Sequence, residues 1–468
     1  MCLLRYLFFL ILLIAASNAG AQNVTISGVA KGAEGKTILL KQYSDFFSMN
    51  EVPVAKNVID SLGCFTIKGN INGTSMAVIH IEYYSGEIYL EPNKTYNVEI
   101  KNLVFNEKFD KVNYTLSPFT CFVRVLTEDK NELNSLVQKL NIMYNSFLRE
   151  NVYLLNKKQI LSKVDTFLIA VNDTFAGVQH PFFSDYLKYR LASLKHFTSY
   201  SSPDKLFLDY LYQKAPLYDN VEYLSFFSGF FEAYFNDISR PVLMSDLYIP
   251  VNSNKSYFEL MDVLGKDSLL KNEKFRELVA VYLLNVCYAN KDFSKNNVVA
   301  ILENIAMKSK FEQHKHIAGS ILQNLTRLNK GMPAPDFELK STSGSYVKLS
   351  DFIGHYVYLN FFTSWCLDCK AEMELMKKLR ENYGNEVVFI SVSADREFMK
   401  AYHFAHDNKY NWLFLHLNSD YDLLESYSVY AYPAFALIDK NGKIIKCPAP
   451  KPSDNIEFVL NNLIKSGN

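Results

Sequence analysis

Two cysteines one helical turn apart, Cys366 and Cys369, directly follow an apolar run, Tyr356-Val357-Tyr358-Leu359-Asn360-Phe361-Phe362. A strand feeding Cys-x-x-Cys puts the first sulfur at the start of a helix, where the dipole and unpaired backbone N–H groups stabilise a thiolate. The second sulfur lies near enough to close a disulfide with it. The chemistry of such a pair is reversible thiol–disulfide exchange. Cys366, nearer the helix start and solvent, is the expected attacking thiolate. Cys369 is the expected resolving thiol, converting a mixed disulfide into the internal bond. Trp365 and the preceding strand argue against a static disulfide, and two cysteines without a second ligand pair argue against zinc. Leu367 and Asp368 separate the cysteines. Asp368 suits a helix N-terminus, yet its charge works against a thiolate beside it.

The elements that must hold this pair read as an α/β domain. Gly331-Met332-Pro333-Ala334-Pro335 cannot continue a helix and reads as a linker. Beyond it, Phe337–Leu339 and Tyr346–Leu349 suggest a hairpin and Tyr356–Phe362 a central strand. Cys366–Tyr383 reads as a helix, Val387–Ser393 as a strand, Glu397–Asp407 as a helix and Leu413–Leu417 as a strand. Phe435–Ile438 and Lys443–Lys446 form a hairpin through Asn441-Gly442, and Ser453 is the expected cap of a last helix ending near Lys465. Strands alternating with helices predict an α/β fold.

Residues 331–468 resemble the extracytoplasmic TlpA/ResA-like (AhpC/TSA-related) thiol–disulfide oxidoreductases of the thioredoxin superfamily. The resemblance rests on Gly331-x-Pro333-Ala334-Pro335-x-Phe337-x-Leu339, Gly344, Leu349-Ser350-Asp351-Phe352, Gly354, Trp365-Cys366-x-x-Cys369 and Val429-Tyr430-Ala431-Tyr432-Pro433, in that order. It implies a thioredoxin fold and makes Cys366 and Cys369 the redox pair. It implies that Pro433 is cis, with its loop against Cys366 and the Tyr432 backbone offered to a client peptide. Trp365 and Tyr432 are then the expected client-binding residues. Glu372 matches a functional glutamate of ResA-like proteins, where a carboxylate could move protons to or from Cys369; a solvated helix glutamate is the alternative. Asn360 stands where thioredoxins proper carry a buried Asp, a departure ResA-like proteins share, so a buried acid is not expected there. Neither a cofactor nor a metal is implied.

Ahead of the linker the pattern changes twice. Period-two stretches at Val24–Val29, Thr37–Gln42, Cys64–Lys68, Ala77–Ile81, Glu87–Leu90 and Thr95–Ile100, punctuated by Gly, Asn and Pro, predict a small all-β, sandwich-like domain. From about Asn106 the period becomes helical. Thr127-Glu128-Asp129 is the expected opening of a first helix, and amphipathic stretches follow near Phe183–Phe197, Tyr223–Phe235, Glu273–Tyr288, Asn297–Met307 and Glu312–Leu328. The expected organisation is multidomain: a signal peptide over 1–21, a β-rich domain over 22–105, an α-helical domain of six or more helices over 106–330, and the thioredoxin-like domain over 331–468. The β-rich segment ahead of a helical one is loosely similar to an N-terminal domain of unknown function fused to such thioredoxins in Gram-negative envelopes.

Length and composition limit the remaining readings. The 468 residues exceed one domain, and 49 basic against 49 acidic side chains leave no strong charge for nucleic acid or anionic surfaces. Aromatics at 15% read mainly as bulky core. Arg5, the apolar Leu7–Ala16 and Ala19-Gly20-Ala21 read as a cleavable export signal, too short to span a bilayer, so the expected location is the periplasm without stable membrane insertion; an uncleaved signal would anchor the protein to the inner membrane. In an oxidising compartment Cys64, Cys121, Cys287 and Cys447 are expected as buried free thiols, with a Cys64–Cys121 bridge as the alternative. The expected activity is reduction of disulfides in envelope clients, apocytochromes among them by family analogy, with electrons from a membrane donor. Three rival readings fit parts of the sequence. A peroxiredoxin-like peroxidase fits Thr363 to Cys366, but Leu359 replaces its proline. Copper delivery would use the cysteines with His403 or His406. A redox-sensitive scaffold would place the main work in the preceding 300 or so residues.

Overall fold

The computed structural model of the protein describes residues 23–105, 119–155 and 157–466. The export segment expected over residues 1–21 lies outside them. The described chain groups into two compact units, one built chiefly from residues 23–321 and one chiefly from residues 322–466. The short segments 81–85, 104–105 and 119–120 group with the second.

The described chain opens with strands β1 (Val24–Val29), β2 (Thr37–Tyr43), β3 (Glu51–Val58), β4 (Cys64–Gly69), β5 (Ser75–Ile81), β6 (Tyr84–Leu90), β7 (Lys94–Lys101), β8 (Phe119–Thr120) and β9 (Phe122–Val125). They make a four-stranded sheet, β4-β1-β7-β9, and a five-stranded one, β3-β2-β5-β6-β8. Alternation is clean where one face is buried: β4 reads exposed–buried throughout. Three strands have no counterpart in the sequence reading. Edge strand β3 is mostly exposed, so it shows no apolar period, and it tolerates Pro53 beside a bulge where Leu40 gives way to Lys41 in the pairing. β8 and β9 are too short to show a period, and they carry strand structure beyond residue 105 to Val125.

Nine α-helices follow among the described residues: α1 (Leu133–Asn151), α2 (Ile160–Phe175), α3 (Pro181–Phe197), α4 (Pro203–Tyr210), α5 (Val221–Tyr234), α6 (Tyr257–Leu264), α7 (Glu273–Ala289), α8 (Lys295–Lys308) and α9 (Glu312–Thr326). Pro181 and Pro203 begin helices, at the first turn where a missing N–H costs nothing. The first helix starts later than Thr127-Glu128-Asp129 suggested. The Thr127 hydroxyl and Asp129 carboxylate cap a local turn by accepting from Asp129 N and Asn131 N, and Glu132 caps α1 by accepting from Asn134 N and Ser135 N.

The second unit holds one seven-stranded sheet, in the order β11-β10-β14-β13-β12-β15-β16. Its strands are β10 (Glu338–Ser341), β11 (Tyr346–Lys348), β12 (Tyr356–Phe362), β13 (Val387–Ser393), β14 (Leu413–His416), β15 (Ala434–Ile438) and β16 (Ile444–Lys446). Its helices are α10 (Leu367–Tyr383), α11 (Phe398–Asp407), α12 (Tyr421–Ser426) and α13 (Ile456–Ser466). Central β12 lies parallel to β13 and antiparallel to β15. Its alternation splits two cores: Tyr358 and Phe362 pack with both cysteines, Met373, Met376 and Phe435, whereas Val357, Leu359 and Phe361 pack with Ile390, Val392 and Tyr427. This is a thioredoxin fold. Ser453 does not cap the last helix, which begins at Ile456; its donors go elsewhere, as described next.

Candidate active site

β12 ends at Phe362, and a short turn carries the chain to Cys366, the N-cap of α10. Ala394 N donates to Phe362 O at 2.8 Å and Cys366 N to Thr363 O at 3.1 Å, which fixes the turn. Cys366 and Cys369 are joined by a disulfide with Cα atoms 5.2 Å apart. The Cys366 sulfur accepts the Cys369 N–H at 3.1 Å, so it occupies the position from which a capping side chain satisfies a helix start. Cys366 is 8% exposed and Cys369 fully buried, so of the two residues only Cys366 reaches solvent. Beside it Leu367 is 84% exposed, and Trp365 and Tyr432 pack half-buried against the core that contains both cysteines. The Tyr432–Pro433 peptide is cis.

Glu372 lies one turn beyond Cys369 and is buried rather than solvated. Its carboxylate accepts from Ser453 N at 2.9 Å and from the Ser453 hydroxyl at 2.5 Å. The Tyr358 hydroxyl donates to Pro450 O at 2.7 Å, tying the central strand to the same segment ahead of α13. Burial, reinforced by the Glu372 charge, holds the Tyr358 hydroxyl well above its usual pKa.

The sequence reading misses a second acidic centre. Asp395, 5% exposed, follows the C-terminal end of β13 and accepts from Ser364 N, the Ser364 hydroxyl and the Ser393 hydroxyl. Burial raises its pKa, against the lowering pull of those donors. Burial likewise raises the Tyr432 hydroxyl's pKa, and Asp395's charge adds to the rise. Asn360 is buried as an amide, accepting from the Ser391 hydroxyl, which in turn accepts from Trp412 Nε1. A buried acid therefore comes from the end of the neighbouring strand rather than from position 360. The usable signal was positional, because sites in parallel sheets gather at the carboxyl ends of strands.

His416 completes this corner. Its Nε2–H donates to Asp395 O at 2.8 Å, and its Nδ1 accepts from Asn418 N at 3.2 Å, an arrangement only the neutral ring can make. Burial lowers its pKa, against the raising influence of Asp395's carbonyl and charge. As pH falls through about 6.5 the unfolded chain takes up a proton that folded His416 resists, so this contribution to stability is present above that pH and lost below it. The melting temperature followed by tryptophan fluorescence should therefore fall between pH 7 and pH 5.5. His416→Gln, which keeps an N–H donor without titrating, should flatten that dependence. Both tryptophans, Trp365 and Trp412, lie in the second unit, so the signal reports it alone.

Among the described residues the other four cysteines are free: Cys121 and Cys287 buried, Cys447 half-buried and Cys64, against expectation, exposed. Burial pushes the thiols of Cys121 and Cys287 up to about 12 and that of Cys447 to about 11, which keeps them protonated and unreactive. His403 and His406 are exposed on α11. Among the described residues no three His, Cys, Asp or Glu side chains gather as a metal site, and no helix is long and apolar enough to cross a membrane.

The Redoxin family profile matches residues 329–458. ResA of Bacillus subtilis, a thiol-disulfide oxidoreductase, is 30% identical over 158 residues, 32% of this chain and 84% of that protein. The chain belongs to the TlpA/ResA-like thiol–disulfide oxidoreductases. The thioredoxin-like protein YneN of the same organism is 33% identical over 120 residues, covering 25% of this chain and 69% of its own length. Among solved structures, the thioredoxin domain of a thiol-disulfide oxidoreductase from Bacteroides vulgatus is 28% identical, with a TM-score of 0.27, covering 30% of this chain and 99% of that one. An exposed lipoprotein thioredoxin of Streptococcus pneumoniae is 29% identical, with a TM-score of 0.25, covering 27% and 99%. By its likeness to ResA and YneN the protein is a thioredoxin-superfamily oxidoreductase that acts on thiols or disulfides of client proteins, and the Redoxin match begins only at residue 329.

Proposed function

We propose that Cys366 and Cys369 are the redox centre of an exported, periplasmic enzyme that reduces disulfides in envelope proteins. The observation that carries this reading is the Cys366 sulfur at the N-cap of α10, covalently bound to Cys369 and accepting its N–H. In the reduced enzyme the same position presents a thiolate to unpaired helix-start N–H groups. The Cys366 thiolate attacks one sulfur of a client disulfide, expelling the other as a thiolate and leaving a mixed disulfide. Cys369 then attacks Cys366, releasing the client as a dithiol and forming the Cys366–Cys369 bond. The two electrons given to the client are restored by a dithiol donor, which we place at the membrane, and no cofactor takes part.

Glu372 takes the Cys369 proton as that thiol attacks and returns it on re-reduction. Its burial and its fixed partner Ser453 favour this role over that of a solvated helix glutamate. Trp365, Leu367, Tyr430 and the Tyr432–Pro433 backbone receive the client segment around its cysteine. The β-rich and helical regions select or orient the client, and the signal expected over residues 1–21 delivers the protein for export.

Turnover of a small peptide disulfide by the full chain, with equilibration of Cys366–Cys369 in glutathione buffers, tests the reading. It fails if the pair stays in one redox state across those buffers. Glu372→Gln should slow the release of client from the mixed disulfide by on the order of 10²-fold while leaving its formation unchanged. Stopped-flow tryptophan fluorescence, with Trp365 beside the sulfurs, separates the two steps.

A further inference from the structure

The turn that delivers Cys366 is held from one side by a single carboxylate. Asp395 Oδ2 accepts from Ser364 N at 2.9 Å and from the Ser393 hydroxyl at 2.7 Å, and Oδ1 accepts from the Ser364 hydroxyl at 2.8 Å. All three donors are neutral. Asp395 is itself fixed from behind: its N–H donates to the Ser393 hydroxyl at 3.1 Å and its carbonyl accepts from His416 Nε2. The next residue back, Ala394, holds Phe362 O. The end of β13 thus grips the segment Phe362–Ser364 at both its ends, two residues before the sulfur. Helix-start stabilisation of a thiolate falls off within the first turn, so a small displacement of Cys366 relative to the α10 N–H groups changes that stabilisation directly.

We propose that Asp395 is a positioning residue for the Cys366 thiolate, clamping Ser364 through its backbone N–H and hydroxyl so that the sulfur is held at the N-cap of α10. The inference rests on the reading of Cys366–Cys369 as the redox centre. It goes beyond that reading by assigning the pair's poise to a residue outside the Cys-x-x-Cys motif and the Pro433 loop.

Two substitutions in the full-length protein separate the clamp from the charge. Asp395→Asn removes the charge but keeps an oxygen for Ser364 N–H, and its amide can donate to the Ser393 hydroxyl. Asp395→Ala removes charge and clamp together. Relative to Asp395→Asn, Asp395→Ala should move the glutathione equilibrium about tenfold toward the disulfide, about 30 mV, because the loosened turn stabilises the thiolate less. Alkylation of reduced Cys366 at pH 7 should slow by a similar factor. Should Asp395→Ala not fold, Ser364→Ala, which deletes one of the two Ser364 bonds, should move the equilibrium of the wild-type protein about threefold in the same direction. Asn and Ala variants that agree within about twofold in both measurements, or an unmoved Ser364→Ala, overturn the clamp. Absence of glutathione equilibration in the wild-type protein would instead overturn the redox centre itself, so the two failures are distinguishable.

Discussion

Cys366→Ser should abolish reduction of a peptide disulfide, a loss on the order of 10³-fold or more, the scale expected when a nucleophile is removed. Cys369→Ser should behave differently. Its Cys366 is now a free thiol at the helix start, so it attacks a client but cannot be released by an internal partner, and the mixed disulfide accumulates. Turnover assays read the first result. Non-reducing electrophoresis followed by mass spectrometry of the trapped adduct reads the second and names the clients. The burial difference between the two residues underlies this expectation: Cys366 retains some access and Cys369 none. If the two variants trapped client equally, the assignment of attacking and resolving thiols would be reversed or void.

Phe362→Ala should destabilise the second unit by about 3–5 kcal/mol, the usual cost of emptying a buried phenylalanine site. Phe362 is fully buried, with ring centroids 5.2 Å from Phe404 and 5.6 Å from Phe414, in the core that also holds Cys366 and Cys369. It is also the last residue of β12, so the cavity would open directly beneath the turn that carries the sulfur. Denaturant titration followed by tryptophan fluorescence isolates this unit, and the midpoint should fall without a matching change in slope. A loss below about 1 kcal/mol would mean that the site collapses around the missing ring.

How much of this is legible in the sequence depends on whether a residue's partners are local. β12, β13 and α10 are readable because a continuous apolar run and a helical period each announce themselves within a dozen residues, and the Cys-x-x-Cys pair lies at their junction. The cysteines' bond is legible for the same reason: its partners are three residues apart. Ser453 is misread because its local context suits a helix cap, whereas its donors go to a carboxylate 81 residues earlier. Asp395 escapes because Ser364 is 31 residues away, and only the parallel pairing of β12 with β13 brings them together. β3 is hidden by its exposure, and Thr127 to Asp129 by a turn that uses the same residue types as a helix cap.

The bond between Ser453 and Glu372 gives the chain a built-in order of completion. The two thiols emerge from the ribosome more than eighty residues ahead of the donors that fix Glu372, and four of the seven sheet strands, β13 to β16, lie in between. A nascent or clipped polypeptide ending before residue 453 would carry its sulfurs but lack the donors that anchor Glu372, the carboxylate to which we assign their protons. On the role proposed for Glu372, a protease trimming that end would slow client release while sparing both cysteines.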